Sequence, residues 1–162
     1  MRWARVDRGG QAVFGQVLAD SILLGDGDPI TGTWTATSEC ELATAKLLVP
    51  VWPQTFYAAG FNYADHVIEQ ARIAGTAPNI PEKPDIGYRA NNALIAAGEP
   101  IVKPADATEL FQYEGELVAV IGRRAKHVSE AEALDYVFGY TIGNDISERT
   151  WQNGDRTFWR AK

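Results

Sequence analysis

The feature that most constrains the fold is a run at residues 112–122 that ends in the apolar stretch LVAVI, at 117–121. A short apolar run of this kind is typical of a β-strand that is buried on both faces. Such a strand lies inside a sheet, and the rest of the chain must supply the layers that cover it. We therefore expect a sheet-based fold in which this strand is central.

The remainder of the chain also predicts strands more often than helices. β-Prone runs occupy residues 2–6, 12–18, 21–24, 55–59 and 140–147, and 31–37 favours a loop or an edge strand. The predicted fold class is therefore mainly β with a few helices (α+β).

Two segments predict helices. Residues 62–73 precede Gly75, a residue that commonly ends a helix. Residues 129–138 begin with Ser129 and Glu132, which have the spacing of a capping box.

Two close prolines, Pro50 and Pro53, interrupt regular structure between the β-rich start of the chain and the rest. We expect a small N-terminal β region at 1–50 and a second region at 51–162.

Composition excludes several classes of function. The 162 residues carry 15 Lys and Arg against 21 Asp and Glu, a net charge of −6, which disfavours binding to nucleic acids or anionic membranes. No apolar run approaches the roughly 20 residues that span a bilayer, and the first residues lack the apolar segment of a signal peptide. The single cysteine, Cys40, suits a reducing compartment, so we expect a soluble cytoplasmic protein.

Three acidic residues in β-prone runs are candidate metal ligands. Glu114 and Glu116 are two residues apart, so on one strand their side chains share a face, and Asp145 lies in another apolar run. Three carboxylates suit a hard cation such as Mg²⁺ or Mn²⁺. The alternative is that the glutamates line a solvated face and that Asp145 is a turn residue. If the carboxylates do converge, removing one should leave the stability of the metal-free protein unchanged or raise it, because repulsion is relieved.

Two further groups could carry chemistry. His66 and Glu69 are i and i+3 on a predicted helix, where a carboxylate can orient an imidazole as a general base; a surface pair is the alternative. Arg149, Gln152 and Lys162 lie in a tail that also contains aromatic residues, and could bind a small carboxylated molecule or form an ordinary exposed loop.

Taken together, these motifs resemble the fumarylacetoacetate hydrolase family. The resemblance is carried by GFNYADH at 60–66, YEGELVAVIG at 113–122, GYTIGNDIS at 139–147 and the spacing from Arg149 to Gln152. It implies a mixed β-sandwich or roll, usually dimeric, that binds Mg²⁺ or Mn²⁺ through Glu114, Glu116 and Asp145. It further implies a His66–Glu69 dyad, an active-site lysine at Lys162 and substrate contacts from Arg149 and Gln152.

The resemblance also implies a reaction: metal-dependent hydrolysis of a carbon–carbon bond in a small diketo or 2-oxo acid, such as an acylpyruvate. Decarboxylation and tautomerisation or isomerisation of 2-oxo acids remain alternatives, as does a non-catalytic fragment or assembly module. Residues 51–162 would form the first part of a catalytic domain. The expected partners are a second copy of the chain, in a homodimer, or another chain that supplies the remaining part.

Overall fold

The structure is a computed structural model that describes residues 1–156 and 160–162. It contains two compact units, one formed by Met1–Trp52 with Leu94–Lys162 and the other by Pro53–Ala93.

The first 48 residues form a five-stranded antiparallel sheet. Its strands are β1 (Arg2–Arg8), β2 (Gln11–Val17), β3 (Ser21–Asp26), β4 (Thr35–Glu41) and β5 (Leu47–Leu48), in the order β4-β3-β2-β1-β5. Gly9 and Gly10 join β1 to β2 with φ of 64° and 88°, a left-handed turn that glycine adopts without steric cost. The three predicted N-terminal strands are confirmed, and β4 lies at the edge of the sheet.

One face of this sheet carries the hydrophobic core of the unit. Val6, Ile22 and Leu24 are buried, and partly buried side chains such as Val13 and Leu47 pack against them. Ile22 and Leu24 are two residues apart on β3, so alternation along the strand directs both to the same face.

The unit at Pro53–Ala93 contains a two-stranded antiparallel sheet and a helix. Strand β6 (Tyr57–Gly60) is antiparallel to β7 (Asp85–Tyr88), and α1 (Ala64–Ala74) lies between them in sequence. The predicted helix is confirmed within two residues at each end, and it stops at Gly75, whose φ of 67° is left-handed.

The predicted strand at 112–122 is wrong in one respect, because it forms two strands in two different sheets. The first, β8 (Phe111–Gln112), and the second, β9 (Gly115–Ile121), are separated by a break at residues 113–114. Strand β9 pairs with β10 (Val137–Asn144), and β8 pairs with β11 (Ser147–Glu148), which leads directly into α2 (Arg149–Gly154).

Burial of β9 on both faces is also wrong for the described chain. Leu117 is 67% exposed and Ile121 is 58% exposed. The apolar sequence correctly predicted a strand. Burial of that strand, however, depends on other segments that pack against it. Within residues 1–156 and 160–162 the only strand paired with β9 is β10.

The predicted helix at 129–138 is replaced by a shorter 3₁₀ helix, Glu130–Tyr136, and strand β10 then begins at Val137. The Ser129 hydroxyl donates to the Glu132 carboxylate at 2.5 Å instead of capping a backbone N–H. Residues 137 and 138, which were expected to continue the helix, belong to strand β10 instead, where Val137 pairs with Ile121.

The chain is thus mainly β with few helices, as predicted. Among the described residues, no helix has both the length and the apolar character needed to cross a membrane.

Candidate active site

The breaks between β8 and β9 and between β10 and β11 lie side by side. The Asp145 N–H donates to the Glu114 carbonyl at 2.9 Å, and the Glu114 N–H donates to the Asn144 side-chain oxygen at 3.2 Å. Gly115 pairs with Asn144 and Gln112 pairs with Ser147, so both ladders are interrupted at the same level. Two predicted ligands, Glu114 and Asp145, are therefore brought together from segments about thirty residues apart.

The Lys162 ammonium lies between these two carboxylates. Its Nζ is 2.5 Å from Glu114 Oε1 and 3.0 Å from Asp145 Oδ2, and it donates to the Ser147 hydroxyl at 2.5 Å. The lysine side chain is only 5% exposed. Its backbone neighbour Ala161 is held in place because its carbonyl accepts from the Glu148 N–H at 2.8 Å.

Glu114 is a carboxylate at neutral pH. Burial raises its pKa, but hydrogen bonds from Lys162 and Ser147, together with the charges of Lys162 and Arg149, outweigh burial and hold the pKa below its usual value. The Arg149 guanidinium adds an ion pair, with Nη1 3.1 Å from Oε1 of Glu114.

Arg149 is positioned at the first turn of α2. Its Nη1 donates to the Gln152 side chain at 2.8 Å, as the i, i+3 spacing allows, and its Nε donates to Gln112 at 3.0 Å. Arg149, Gln152 and Lys162 therefore belong to one constellation with Glu114. Gln112 was missed from sequence, where nothing distinguishes it from a polar strand residue.

Sequence analysis also missed the two most buried polar residues of the cluster. Ser147 is fully buried, and its hydroxyl also contacts the Glu114 carboxylate and the Asp145 carbonyl. Glu148 is 1% exposed; its carboxylate caps α2 by accepting from the Trp151 N–H at 2.6 Å, and it accepts from Thr108 as well. A serine inside an apolar β run was the available signal for Ser147, whereas Glu is an uncommon cap and gave none.

The surroundings of Glu148 lower the pKa of its carboxyl group. Burial raises its pKa, but the hydrogen bonds from the Thr108 hydroxyl and from the backbone N–H groups of Trp151, Thr108 and Thr150 outweigh burial, so the pKa lies below its usual value.

The third predicted ligand, Glu116, is exposed at the start of β9, where it pairs with Gly143. Among the described residues no group of three or more Asp, Glu, His or Cys side chains is arranged to hold a metal ion. The donors nevertheless fit a hard cation, because Glu114 and Asp145 already direct carboxylate oxygens at one positive group, Lys162.

This arrangement changes the expected stability of the metal-free protein. Repulsion between Glu114 and Asp145 is offset by Lys162 between them and by Arg149 beside Glu114. Removing a carboxylate would therefore take a partner from a nearly buried ammonium, and we expect this loss to outweigh the relief of repulsion.

His66 and Glu69 lie on α1, and both are exposed. The His66 ring contacts the Phe61 ring, with centroids 5.6 Å apart, and Phe61 has a φ of 46°, a strained conformation for an aromatic residue. The Glu69 carboxylate forms two hydrogen bonds of 2.7 Å with Arg72, and this guanidinium holds the pKa of Glu69 below its usual value. The His66–Glu69 dyad stays a prediction. The tail aromatics Phe158 and Trp159 lie outside the described residues.

Both parts of the chain match known protein families. Residues 55–162 match the family described as fumarylacetoacetate (FAA) hydrolase, C-terminal, and residues 1–50 match the family described as Rv2993c-like, N-terminal. Protein Rv2993c of Mycobacterium tuberculosis is 42% identical over 132 residues, which are 82% of this chain and 47% of that protein. The homoprotocatechuate catabolism bifunctional isomerase/decarboxylase of Escherichia coli is 40% identical over 116 residues, 70% of this chain and 25% of that protein.

Solved structures share the fold. The crystal structure of 5-carboxymethyl-2-hydroxymuconate delta-isomerase from Mycobacterium smegmatis superposes with a TM-score of 0.83 at 35% identity, covering 100% of this chain and 61% of that one. Oxaloacetate tautomerase YisK of Bacillus subtilis is 34% identical over 123 residues, 75% of this chain and 40% of that protein. Maleylpyruvate hydrolase from Sphingobium, solved with manganese(II) and pyruvate, shares the fold with a TM-score of 0.68 at 24% identity, covering 99% of this chain and 62% of that one. The chain spans between 34% and 47% of the first curated relatives that it matches. From these matches, the chain belongs to the fumarylacetoacetate hydrolase family.

Proposed function

We propose that the protein is an enzyme that acts on a small 2-oxo or diketo acid, and that its reaction passes through the enol or enolate of the substrate. The observation that carries this proposal is the meeting of Glu114, Asp145 and Lys162 beside Arg149. Carboxylate ligands, an ammonium and a guanidinium in one cluster are the groups needed to bind a substrate carboxylate and stabilise negative charge on a nearby oxygen. The tautomerase, isomerase and decarboxylase names of relatives support the substrate class.

The proposed metal ligands are Glu114 and Asp145, completed by Glu116, and the proposed metal is Mg²⁺ or Mn²⁺. When bound, the cation would supply Lewis-acid stabilisation of negative charge on substrate oxygens.

The protein side chains have separate proposed roles. Arg149 uses Nε and Nη1 in its contacts with Gln112, Gln152 and Glu114, so Nη2 is the nitrogen we assign to the substrate carboxylate. Gln152 holds that guanidinium in place. Lys162 is the positive charge that we assign to the oxygen on which negative charge develops.

The proposed proton-transfer residue is His66, with Glu69 as the carboxylate that orients it. A general base of this kind removes a proton from the carbon next to the 2-oxo group or, in hydrolysis, from water.

Hydrolysis of a carbon–carbon bond is the second candidate, and membership of this family favours it. It requires an activated water and therefore an oriented His66. The Glu69 carboxylate is paired with Arg72 in an exposed ion pair, which contributes little and can exchange. Relatives named oxaloacetate tautomerase and bifunctional isomerase/decarboxylase support enol chemistry, so we place it first.

The test uses the protein at its natural length, stripped of metal with a chelator and reloaded with Mn²⁺ or Mg²⁺. Ketonisation of enol-oxaloacetate, formation of pyruvate from oxaloacetate and cleavage of an acylpyruvate are measured in parallel. We expect ketonisation to be fastest, and Glu114→Gln and Asp145→Asn to lower it by at least about 10²-fold, as for other preorganised charged groups. Lys46→Met, which removes an exposed lysine paired with Asp7, is the matched control and should leave the rate unchanged.

Two results would change the conclusion. Faster acylpyruvate cleavage than ketonisation would make the second candidate the main function. Absence of all three activities in the metal-loaded wild-type protein would contradict the proposal.

A further inference from the structure

The Lys162 ammonium is held by two hydrogen bonds and one further ion pair. Of its three N–H donors, two bond to Glu114 Oε1 and Ser147 Oγ, each at 2.5 Å, and Asp145 Oδ2 lies 3.0 Å from Nζ. The side chain is 5% exposed, so water has little access to it. In this arrangement the ammonium is engaged with oxygen atoms of the protein itself.

The contacts of Ser147 show how this lysine is held. Its fully buried hydroxyl has one hydrogen, which points to an acceptor, the Glu114 carboxylate or the Asp145 carbonyl. Its oxygen is then left to accept from Lys162. The ammonium is therefore fixed from one side by a neutral group and from the other by two carboxylates.

We propose that Lys162 is an internal counter-cation: it occupies the position between Glu114 and Asp145 in the metal-free protein and competes with a divalent cation for both carboxylates. This inference rests on the metal site of the proposed function. The Oε1 atom of Glu114 already contacts Lys162, Ser147 and Arg149, and a divalent cation bound by the same two carboxylates would lie close to the ammonium and be repelled by it. Metal binding therefore costs Lys162 contacts to Glu114 and Asp145, while Ser147 retains the ammonium at the site.

The exchange has a chemical consequence. The two N–H groups released from the carboxylates become available to substrate oxygens only when the metal is present. Lys162 would thus become available to the substrate only together with the metal. In the metal-free protein, Lys162 would stay bound to Glu114 and Asp145 and could not contact a substrate.

The experiment measures Mn²⁺ affinity of the chelator-stripped, natural-length protein by titration calorimetry, without substrate or turnover. Lys162→Met removes the competing charge and should bind Mn²⁺ at least tenfold more tightly than wild type, with a lower melting temperature before metal is added. Lys162→Arg keeps a positive charge at the site and should bind no more tightly than wild type. Lys46→Met is the matched control: it removes a lysine 2.9 Å from the Asp7 carboxylate in the same unit, and should leave Mn²⁺ affinity unchanged.

The outcomes separate this inference from the proposed function. Equal or weaker Mn²⁺ binding by a cooperatively melting Lys162→Met protein overturns the counter-cation role, even if wild type is active. Absence of Mn²⁺ binding in both wild type and Lys162→Met overturns the metal site itself. Should Lys162→Met fail to melt cooperatively, Lys162→Gln, which can still donate to Ser147, carries the same expectation of tighter binding and is judged by the same result.

Discussion

Replacing Glu114 by alanine should destabilise the metal-free protein, although it removes one of two neighbouring negative charges. The substitution deletes the acceptor of the Lys162 hydrogen bond at 2.5 Å and of the Arg149 ion pair at 3.1 Å. Lys162 keeps Asp145 and Ser147, so its charge is not left without a partner.

The size of the effect follows from these contacts. A hydrogen bond between charged groups contributes about 1.5–3 kcal/mol. The ion pair with Arg149, whose side chain is 30% exposed, adds about 0.2–1 kcal/mol. Relief of the cost of burying the Glu114 carboxylate offsets part of this sum, so we expect a loss of about 2–3 kcal/mol in the free energy of unfolding. For a chain of this size that corresponds to a fall of roughly 4–12 °C in Tm.

The assay is thermal and urea unfolding at pH 7 in the presence of a chelator, followed by circular dichroism. Glu109→Ala is the control, because it removes the same charge from an exposed residue nearby in sequence and should change stability by no more than about 0.5 kcal/mol. A Glu114→Ala protein as stable as wild type, or more stable, would refute the reasoning and restore the expectation from sequence that repulsion dominates.

Three further results are expected. Glu148→Gln should be less stable than wild type at pH 7, and the difference should vanish on acidification: the pKa of Glu148 in the folded protein is depressed, so its stabilisation is complete above the ordinary value of 4.5 and is lost as pH falls through the folded-state pKa. Unfolding curves from pH 7 to pH 3 test this, and a constant difference would contradict it. His66→Ala should lower acylpyruvate cleavage by about 10²–10⁴-fold, with a smaller effect on decarboxylation; equal losses would indicate a structural role. Gly25→Ala should cost about 1–3 kcal/mol in unfolding experiments, because the added methyl group overlaps the Thr35 carbonyl and the Trp34 ring, and unchanged stability would show that β4 can shift.

Local signals predicted the parts of the fold that local interactions determine. The turn at Gly9 and Gly10 and the end of α1 at Gly75 follow from glycine chemistry within a few residues. The break at residues 113–114 could not be read in this way, because a continuous β-prone run gives no sign that its two halves pair with different strands. Exposure of Leu117 was missed for a related reason: burial is decided by segments remote in sequence.

The candidate site shows the same division. Residue chemistry selected Glu114, Glu116 and Asp145 as candidate ligands but left Arg149 and Lys162 open between a binding site and an exposed loop. The resemblance to the family assigned those two residues to the site, and the structure brings both of them to Glu114. The role of an uncharged polar residue such as Ser147, by contrast, depends on which side chain it contacts in the folded protein. Ser147 contacts Glu114 across 33 positions of sequence, and no motif within the apolar run indicates that contact.

The two parts of the larger unit also differ in how they can assemble. In the N-terminal sheet β1, β2, β3 and β4 pair with their neighbours in sequence, so each hairpin closes a short loop. The contact of Lys162 with Glu114 joins residues 48 positions apart. Its formation requires closure of a much longer loop, which has a larger cost in conformational entropy. Non-local contacts form more slowly than local ones. During refolding, the amides of β1–β3 should therefore be protected from hydrogen exchange before Lys162 contacts Glu114. In a nascent or partly folded chain, the N-terminal sheet would therefore form before Lys162 reaches the candidate active site.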